Sequence, residues 1–472
     1  MRKTKIICTM GPAVDNDDAI RSLMESGMDA ARFNFSHGSH EEHKERIDRV
    51  RRIAAEMDLT VATLLDTKGP EIRVRDFENR SVMLEKGQSF TLWRDQERLG
   101  TEEGVSITYP YLSEDITKGD QILIDDGLVY MTVTDIVEGD IICQVNNPGK
   151  VSNRKSINIP GVDVDQVYIS ETDRSDLLFG IEMDIDYIAA SFVRTAEDVK
   201  RLRKLLQANG GSKIKIIAKI ENRSGVDNID EILRYADGIM VARGDMGVEI
   251  SFEELPAIQK SLIKKCYERG KIVITATQML DSMQEHPRPT RAEVSDVANA
   301  IYDGTTAIML SGETAAGKYP TEAVRAMSQI ASFTETQIDY AKRYKEKQLS
   351  LGKDILNTIA TSSVEASFFL GAKAIIACTV SGKTAQTTSF YRPSAPVIAC
   401  CTDQKAARQL KLFYGVIPFV VEYNEDWNVV KQRALDIALK SGVVKKNDIV
   451  VFLTGAITGR NHETDAMFIC KA

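Results

Sequence analysis

Short apolar runs that end in polar residues recur along the chain, with stretches of helical periodicity between most of them. The runs are KTKIICTMG (3–11), MDAARFNFS (28–36), VATLLDTKG (61–69), DIDYIAASF (184–192), KIKIIAKIE (213–221), DGIMVARGD (237–245), KIVITATQML (271–280) and TTAIMLSGE (305–313). Consecutive apolar positions of this kind suit strands buried on both faces. SHEE (39–42) and SFEE (251–254) read as capping boxes at helix starts, and TAED (195–198) is similar. Apart from one gap, the runs begin roughly 25–35 residues apart, as parallel βα units do. Eight such units closing on themselves give a (β/α)8 barrel.

The gap, about residues 71–168, has a different pattern. SVMLEKGQSFTLW, QILIDDGLVYMTVTDIVEGDIICQV and KSINIPGVDV alternate short strands with Gly- and Asp-containing turns, which predicts a small all-β domain inserted into a βα loop. Such loops emerge at a barrel's C-terminal face, so the insert is expected to cover that face as a lid. Beyond residue 340 a polar linker, AKRYKEKQLSLGKD, leads to a second alternation: AKAIIACTVSG, APVIACCTD, VIPFVVEY, the helical WNVVKQRALDIALKSG, NDIVVFLTG and DAMFICKA. The expected fold class is therefore α/β, in three parts. A catalytic (β/α)8 barrel takes 1–70 and 169–339, a β-barrel lid 71–168, and an open-sheet α/β domain 340–472.

Composition narrows the function. A chain of 472 residues needs more than one core. No apolar run approaches the length of a membrane span, and the N-terminus carries no signal-peptide h-region. The seven cysteines show no CxxC and no metal-ligand spacing; reduced thiols in a cytoplasm are the expectation. A net charge of −8 argues against general nucleic-acid binding. An anionic substrate must then be drawn by local Arg, Lys and metal.

The run IIAKIENRSG (216–225) carries Lys219 and Glu221 at its end, on the same side of the strand because side chains alternate. Read together, the strand ends supply Arg32, Asn34 and Ser36; Asp66, Thr67 and Lys68; Ser191 and Phe192; Lys219 and Glu221; Gly244 and Asp245; Thr277; and Ser311 and Glu313. Carboxylates on adjacent strands five and six suit a hard divalent cation. Lys219 beside it supplies a point charge for an oxygen of a transferring group. Phosphoryl transfer asks for this layout. One Lys–Glu pair alone is more often a structural ion pair; polar ends on most of eight strands are not.

IIAKIENRSGV, with RFNFSHG (32–38), LLDTKGPEIR (64–73), MVARGDMGVE (240–249), ITATQMLDSM (274–283), RPTRAEVSDVANAI (288–301) and IMLSGETAAGKYP (308–320), resembles the pyruvate kinase signatures in their order. The likeness spans nearly the whole chain and is to the bacterial, K⁺-dependent type without an extra C-terminal domain. It implies transfer of the phosphoryl group of phosphoenolpyruvate to ADP, giving pyruvate and ATP, the last step of glycolysis. It further implies that Glu221 and Asp245 hold Mg²⁺, that Lys219 and Arg32 hold the phosphoryl group, and that Gly244 and Thr277 contact the pyruvate moiety. Thr277 would belong to the relay that protonates the enolate. Asn34, Ser36, Asp66 and Thr67 would coordinate K⁺, their single charge suiting a monovalent ion, and Glu71 agrees with that requirement. Arg73, Lys155, Asn34 and His37 would serve the nucleotide. Cytoplasmic homotetramers are the family's habit.

TVSGKTA (379–385) is no Walker A motif, because Ala377 stands where its first glycine would fall. Thr379, Ser381, Gly382, Lys383 and Thr384 do lie between a strand and a helix, and resemble the family's loop for a sugar-phosphate allosteric effector. Trp427 resembles a tryptophan placed beside that effector, Arg433 does not align with its partner, and LTGAITGRNHETDA (453–466) departs from the family's glycine-rich stretch. Plainer expectations attach to other features: DDG (125–127) is a hairpin turn, His37, His40 and His43 are exposed helix surface, and Met279, Met283 and Met309 are packing. Two other functions compete. A barrel lyase acting on pyruvate enolate would need no nucleotide, and a catalytically idle phosphosugar sensor would not need Arg32, Lys219, Glu221, Asp245 and Thr277 together.

Overall fold

The computed structural model describes residues 1–346, 352, 354–424, 426–455 and 464–472. Part of the 341–354 linker and the centre of 453–466 lie outside them. The eight runs form eight strands: β1 (Lys5–Thr9), β2 (Ala30–Asn34), β3 (Ala62–Asp66), β4 (Tyr187–Ala190), β5 (Lys215–Ile220), β6 (Gly238–Ala242), β7 (Ile272–Ala276) and β8 (Ala307–Leu310). All neighbours pair in parallel and β8 returns to β1, so the barrel is closed.

Alternation divides each strand between two cores. Ile7, Ala30, Leu64, Tyr187, Ala189, Ile217, Met240, Ile274 and Met309 fill the interior. Ile6, Ala31, Leu65, Ile188, Ile216, Ala218, Val241 and Ile308 face the surrounding helices. Each such burial contributes roughly 1.5–3 kcal/mol for a large side chain. The interior positions continue, two residues at a time, into Thr9, Arg32, Asp66, Ser191, Lys219 and Glu221. The polar ends are thus the top layer of the barrel's own interior.

Between β3 and β4 the chain makes a seven-stranded sheet and a two-stranded one. The larger sheet's edges meet: Val74 bridges Ile107, Arg75 N–H donates to the Ser106 carbonyl and Thr108 N–H to the Arg73 carbonyl. This rolls the sheet around its own core of Phe90, Leu92, Ile122 and Met131. Asp125, Asp126 and Gly127 all take positive φ between Gln121–Ile124 and Val129–Val137, so DDG is a hairpin turn.

The C-terminal part is a five-stranded sheet, four strands parallel and Ala466–Lys471 antiparallel at one edge. It packs on the barrel's N-terminal face. Tyr187 Oη donates to the Gln409 carbonyl, Lys5 Nζ to the Val416 carbonyl, and Arg392 to the Gly304 carbonyl. The opposite face is left to the insert.

Two local expectations fail. SFEE is not a capping box: residues 251–254 form a backbone turn, and the helix Leu255–Glu268 starts with proline in its first turn, whose fixed φ sets the helix start. SHEE is one, with Ser39 and Glu42 bonded reciprocally. The three histidines also differ from expectation, for only His37 is exposed. His43 is buried and stacks on Phe35 at 4.0 Å, while His40 stacks on Phe179 at 4.4 Å and bonds Asp176. The seven cysteines are free thiols, five of them buried. Met279, Met283 and Met309 are core. Among the described residues no helix is long and apolar enough to cross a membrane.

Candidate active site

Lys219, on the penultimate position of β5, is the hub of the strand ends. Its Nζ lies 2.7 Å from Ser191 Oγ, 3.1 Å from Asp66 Oδ1 and 2.8 Å from Glu221 Oε1. Burial works against its charge, but Asp66, Glu221 and Asp245 outweigh that and hold the ammonium above its ordinary pKa. Arg32 donates from Nε to Asp66 Oδ2 at 2.6 Å and from Nη1 to Thr9 Oγ1 at 3.0 Å. Asp66 therefore sits between two cations. Burial pushes its carboxyl up, and Arg32 and Lys219 together bring it below the usual range.

Glu221 is fully buried. Burial, aided by Asp245 and opposed by Lys219, raises its carboxyl to about 8. Its Oε2 accepts the Phe192 N–H at 2.5 Å. Its Oε1, although close to Lys219, has no hydrogen bond; the ion pair has the distance without the angle. A buried carboxylate oxygen with an open lone pair, beside a second carboxylate, fits a hard divalent cation. Among the described residues no three His, Cys, Asp or Glu side chains gather as a metal group. An ion that takes two carboxylates and completes its shell with substrate oxygens does not require three.

Asp245 and Gly244 begin the helix Arg243–Glu249. A Cβ on Gly244 would lie 2.8 Å from Thr277 Cγ2, so glycine is what lets this helix meet Thr277. Phe192 and Thr277, just past β4 and β7, have φ of +52 and +70. Strain in non-glycine residues persists where surrounding contacts fix it, and it gathers at functional sites.

The potassium candidates are close but engaged. Asn34 pairs in register with Asp66 across β2 and β3, and its Oδ1 accepts the Ser36 N–H at 3.2 Å. Thr67 Oγ1 accepts the Ser191 N–H at 3.1 Å.

Between insert and barrel lies a cavity of about 360 Å³. Glu71, Asp126, Ser156, Phe192, Arg223 and Asp245 are among its walls. Arg73 and Lys155 are not: Arg73 pairs with Glu71 and Lys155 with Asp125. His37 is also outside the lining, and its carbonyl takes a bond from His43. From the insert, Asn158 Nδ2 reaches Glu249 Oε1 at 2.9 Å, a contact with the helix that carries Asp245.

In the C-terminal domain, Gly382 with φ +82 precedes the helix Lys383–Phe390, and its N–H donates to Thr379 Oγ1. Ser381 and Lys383 are exposed, and Thr384 is buried against Thr464. Trp427 packs on Phe452 and Phe468, and Arg433 turns to Glu422. Sequence reasoning missed Thr9, Arg243 and the Asn158–Glu249 contact. Thr9 was within reach, being two positions beyond Ile7 on β1.

A closed parallel barrel whose C-terminal rim gathers three carboxylates, a lysine and an arginine is that of a phosphotransferase of the metal-assisted kind. The pyruvate kinase barrel-domain model matches residues 1–324, and the pyruvate kinase alpha/beta-domain model matches 357–470. A pyruvate kinase of Geobacillus stearothermophilus is 51% identical over 99% of this chain and 80% of its own length. One from Clostridium acetobutylicum is 47% identical over 99% of both. A solved pyruvate kinase of Cryptosporidium parvum superposes with a TM-score of 0.94 at 40% identity, covering 100% of this chain and 96% of its own. The chain belongs to the pyruvate kinase family, the enzymes that move the phosphoryl group of phosphoenolpyruvate to ADP, yielding pyruvate and ATP.

Proposed function

We propose that this chain carries out the family's reaction with Lys219, Arg32 and Thr277 as its acting side chains. The observation that carries the reading is the single connected group Arg32–Asp66–Lys219–Glu221 at the barrel rim, with Glu221 Oε1 unbonded. Glu221 and Asp245 would hold Mg²⁺, which when bound supplies positive charge for the phosphate and carboxylate oxygens of phosphoenolpyruvate. Arg32 grips the phosphate with the guanidinium edge not used on Asp66. Lys219 stabilises the phosphoryl group as it leaves and the enolate that remains. Gly244 offers close backbone approach to the pyruvate moiety, and Thr277 takes part in protonating the enolate.

ADP enters the cleft under the insert, with Arg73 and Lys155 released from Glu71 and Asp125 to meet its phosphates. Segment 71–168 closes over it and excludes water. Asn34, Ser36, Asp66 and Thr67 take K⁺, and His37 stands near the nucleotide. The reading extends to a sugar-phosphate effector at Thr379, Ser381, Gly382, Lys383 and Thr384, and to a cytoplasmic homotetramer. A coupled assay of pyruvate release tests the reaction. Turnover should need ADP and Mg²⁺ together, whereas release without ADP would favour a lyase.

A further inference from the structure

Arg243 is half-buried at the start of the helix that carries Gly244 and Asp245. Its guanidinium does not face the cavity. Nη1 lies 2.8 and 2.6 Å from the two oxygens of Asp296. Nη2 donates to the Thr277 carbonyl at 2.6 Å and lies 2.9 Å from Met279 Sδ. Nε is shared between the Ala276 and Thr277 carbonyls at 3.1 and 3.2 Å. Two of its three nitrogens thus hold one peptide, and the third, Nη1, anchors the group behind by reaching both oxygens of Asp296.

That peptide is strained. Thr277 has φ +70 and Gln278 φ +55, consecutive left-handed residues of which the first is β-branched, where this conformation is a genuine outlier. Thr277 cannot be held there by propensity, so contacts must hold it. On one side Gly244 presses its bare Cα toward Thr277 Cγ2. On the other is the Arg243 fork. The turn also takes Thr277 out of β7's alternation, in which Ala276 faces the interior.

We propose that Arg243 is a positioning residue for the reaction, its fork on the Thr277 carbonyl setting the Thr277 hydroxyl against the substrate and tying that hydroxyl to the helix that carries Asp245. The proposal rests on the reading that Thr277 acts on the pyruvate enolate. Lysine cannot replace this arginine: an ammonium could keep an ion pair with Asp296 but not span two carbonyls and a carboxylate at once.

The test is exchange of the pyruvate methyl hydrogens with D₂O, followed by NMR on the full chain with Mg²⁺ and K⁺. It reads proton transfer at carbon without phosphoryl transfer. Melting temperature, Mg²⁺ affinity and KM for phosphoenolpyruvate are recorded for each variant. Arg243→Lys should lower exchange and kcat by about 10²-fold, the scale of a misplaced catalytic group, with KM and Mg²⁺ affinity near those of the parent. Thr277→Ala should lower exchange comparably, and the double variant should be no slower than Thr277→Ala alone, because the arginine acts through the threonine. If Arg243→Lys does not fold, Arg243→Gln carries the same comparison. Normal exchange in Thr277→Ala would sink the reading of Thr277, and the Arg243 proposal with it. Slow exchange in Thr277→Ala, with Arg243→Lys either normal or multiplying the loss, would sink the Arg243 proposal alone.

Discussion

Arg32 Nε lies 2.6 Å from Asp66 Oδ2, and the other oxygen of that carboxylate lies 3.1 Å from Lys219 Nζ. Asp66 bridges the two cations that the proposed reaction turns toward a phosphoryl group. Before substrate arrives, it is what allows an ammonium and a guanidinium to share one buried rim.

Asp66→Asn should therefore destabilise the fold as well as slow the enzyme. Breaking a buried ionic group by neutralising one member costs about 3–5 kcal/mol, and here it leaves Arg32 without its carboxylate and Lys219 with only Glu221 and Asp245. Urea unfolding at neutral pH measures this. A loss below about 1 kcal/mol, the range of exposed pairs, would mean that the network is slack.

Lys219→Met should keep the fold and Mg²⁺ binding and lose most of kcat. The methionine matches the lysine stem in length and removes the ammonium that the moving phosphoryl group is proposed to meet, together with its contacts to Ser191 and Asp66. Steady-state turnover at saturating phosphoenolpyruvate reads the effect. Near-normal turnover would take Lys219 out of its role.

The rim of the site was legible because it is the barrel's alternation carried past the strand ends: Ala30 leads to Arg32, Leu64 to Asp66, Ile217 to Lys219 and Glu221. The seam between Arg243 and Thr277 was not. It depends on a left-handed peptide and on contacts between two strand–helix connections, neither of which has a period in sequence. His43 shows a signal present but misread, since His43, Ile47, Val50 and Ala54 form one buried helical stripe. Residues 251–254 are of capping-box type, but the proline that follows them sets the helix start beyond the turn they form.

Glu221 sets a pH dependence with a definite sign. Its carboxyl rises from an ordinary 4.5 to about 8, so without metal the folded chain keeps a proton that the unfolded chain has lost between those values. The associated stability is full below about 4.5 and is lost as pH rises through about 8. Lys219 stays charged throughout this window. Mg²⁺ needs the carboxylate, so its stabilisation should grow over the same range. Melting scans from pH 6 to 8.5 should show a steeper metal-free decline in the parent than in Glu221→Gln, and a Mg²⁺ gain that rises with pH only in the parent. Equal slopes would contradict this.

Replacing K⁺ with a bulky organic cation should cut the rate sharply, more so than Na⁺ at equal ionic strength. The check is initial rate against cation identity. Full activity in K⁺-free buffer would refute Asn34, Ser36, Asp66 and Thr67 as its ligands.

The central claim is one divalent ion between Glu221 and Asp245 with Lys219 alongside. Isothermal titration of Mg²⁺ in the presence of a phosphoenolpyruvate analogue tests it most directly. One saturable ion per chain is expected, lost in both Glu221→Ala and Asp245→Ala. Unchanged binding in either variant would contradict it.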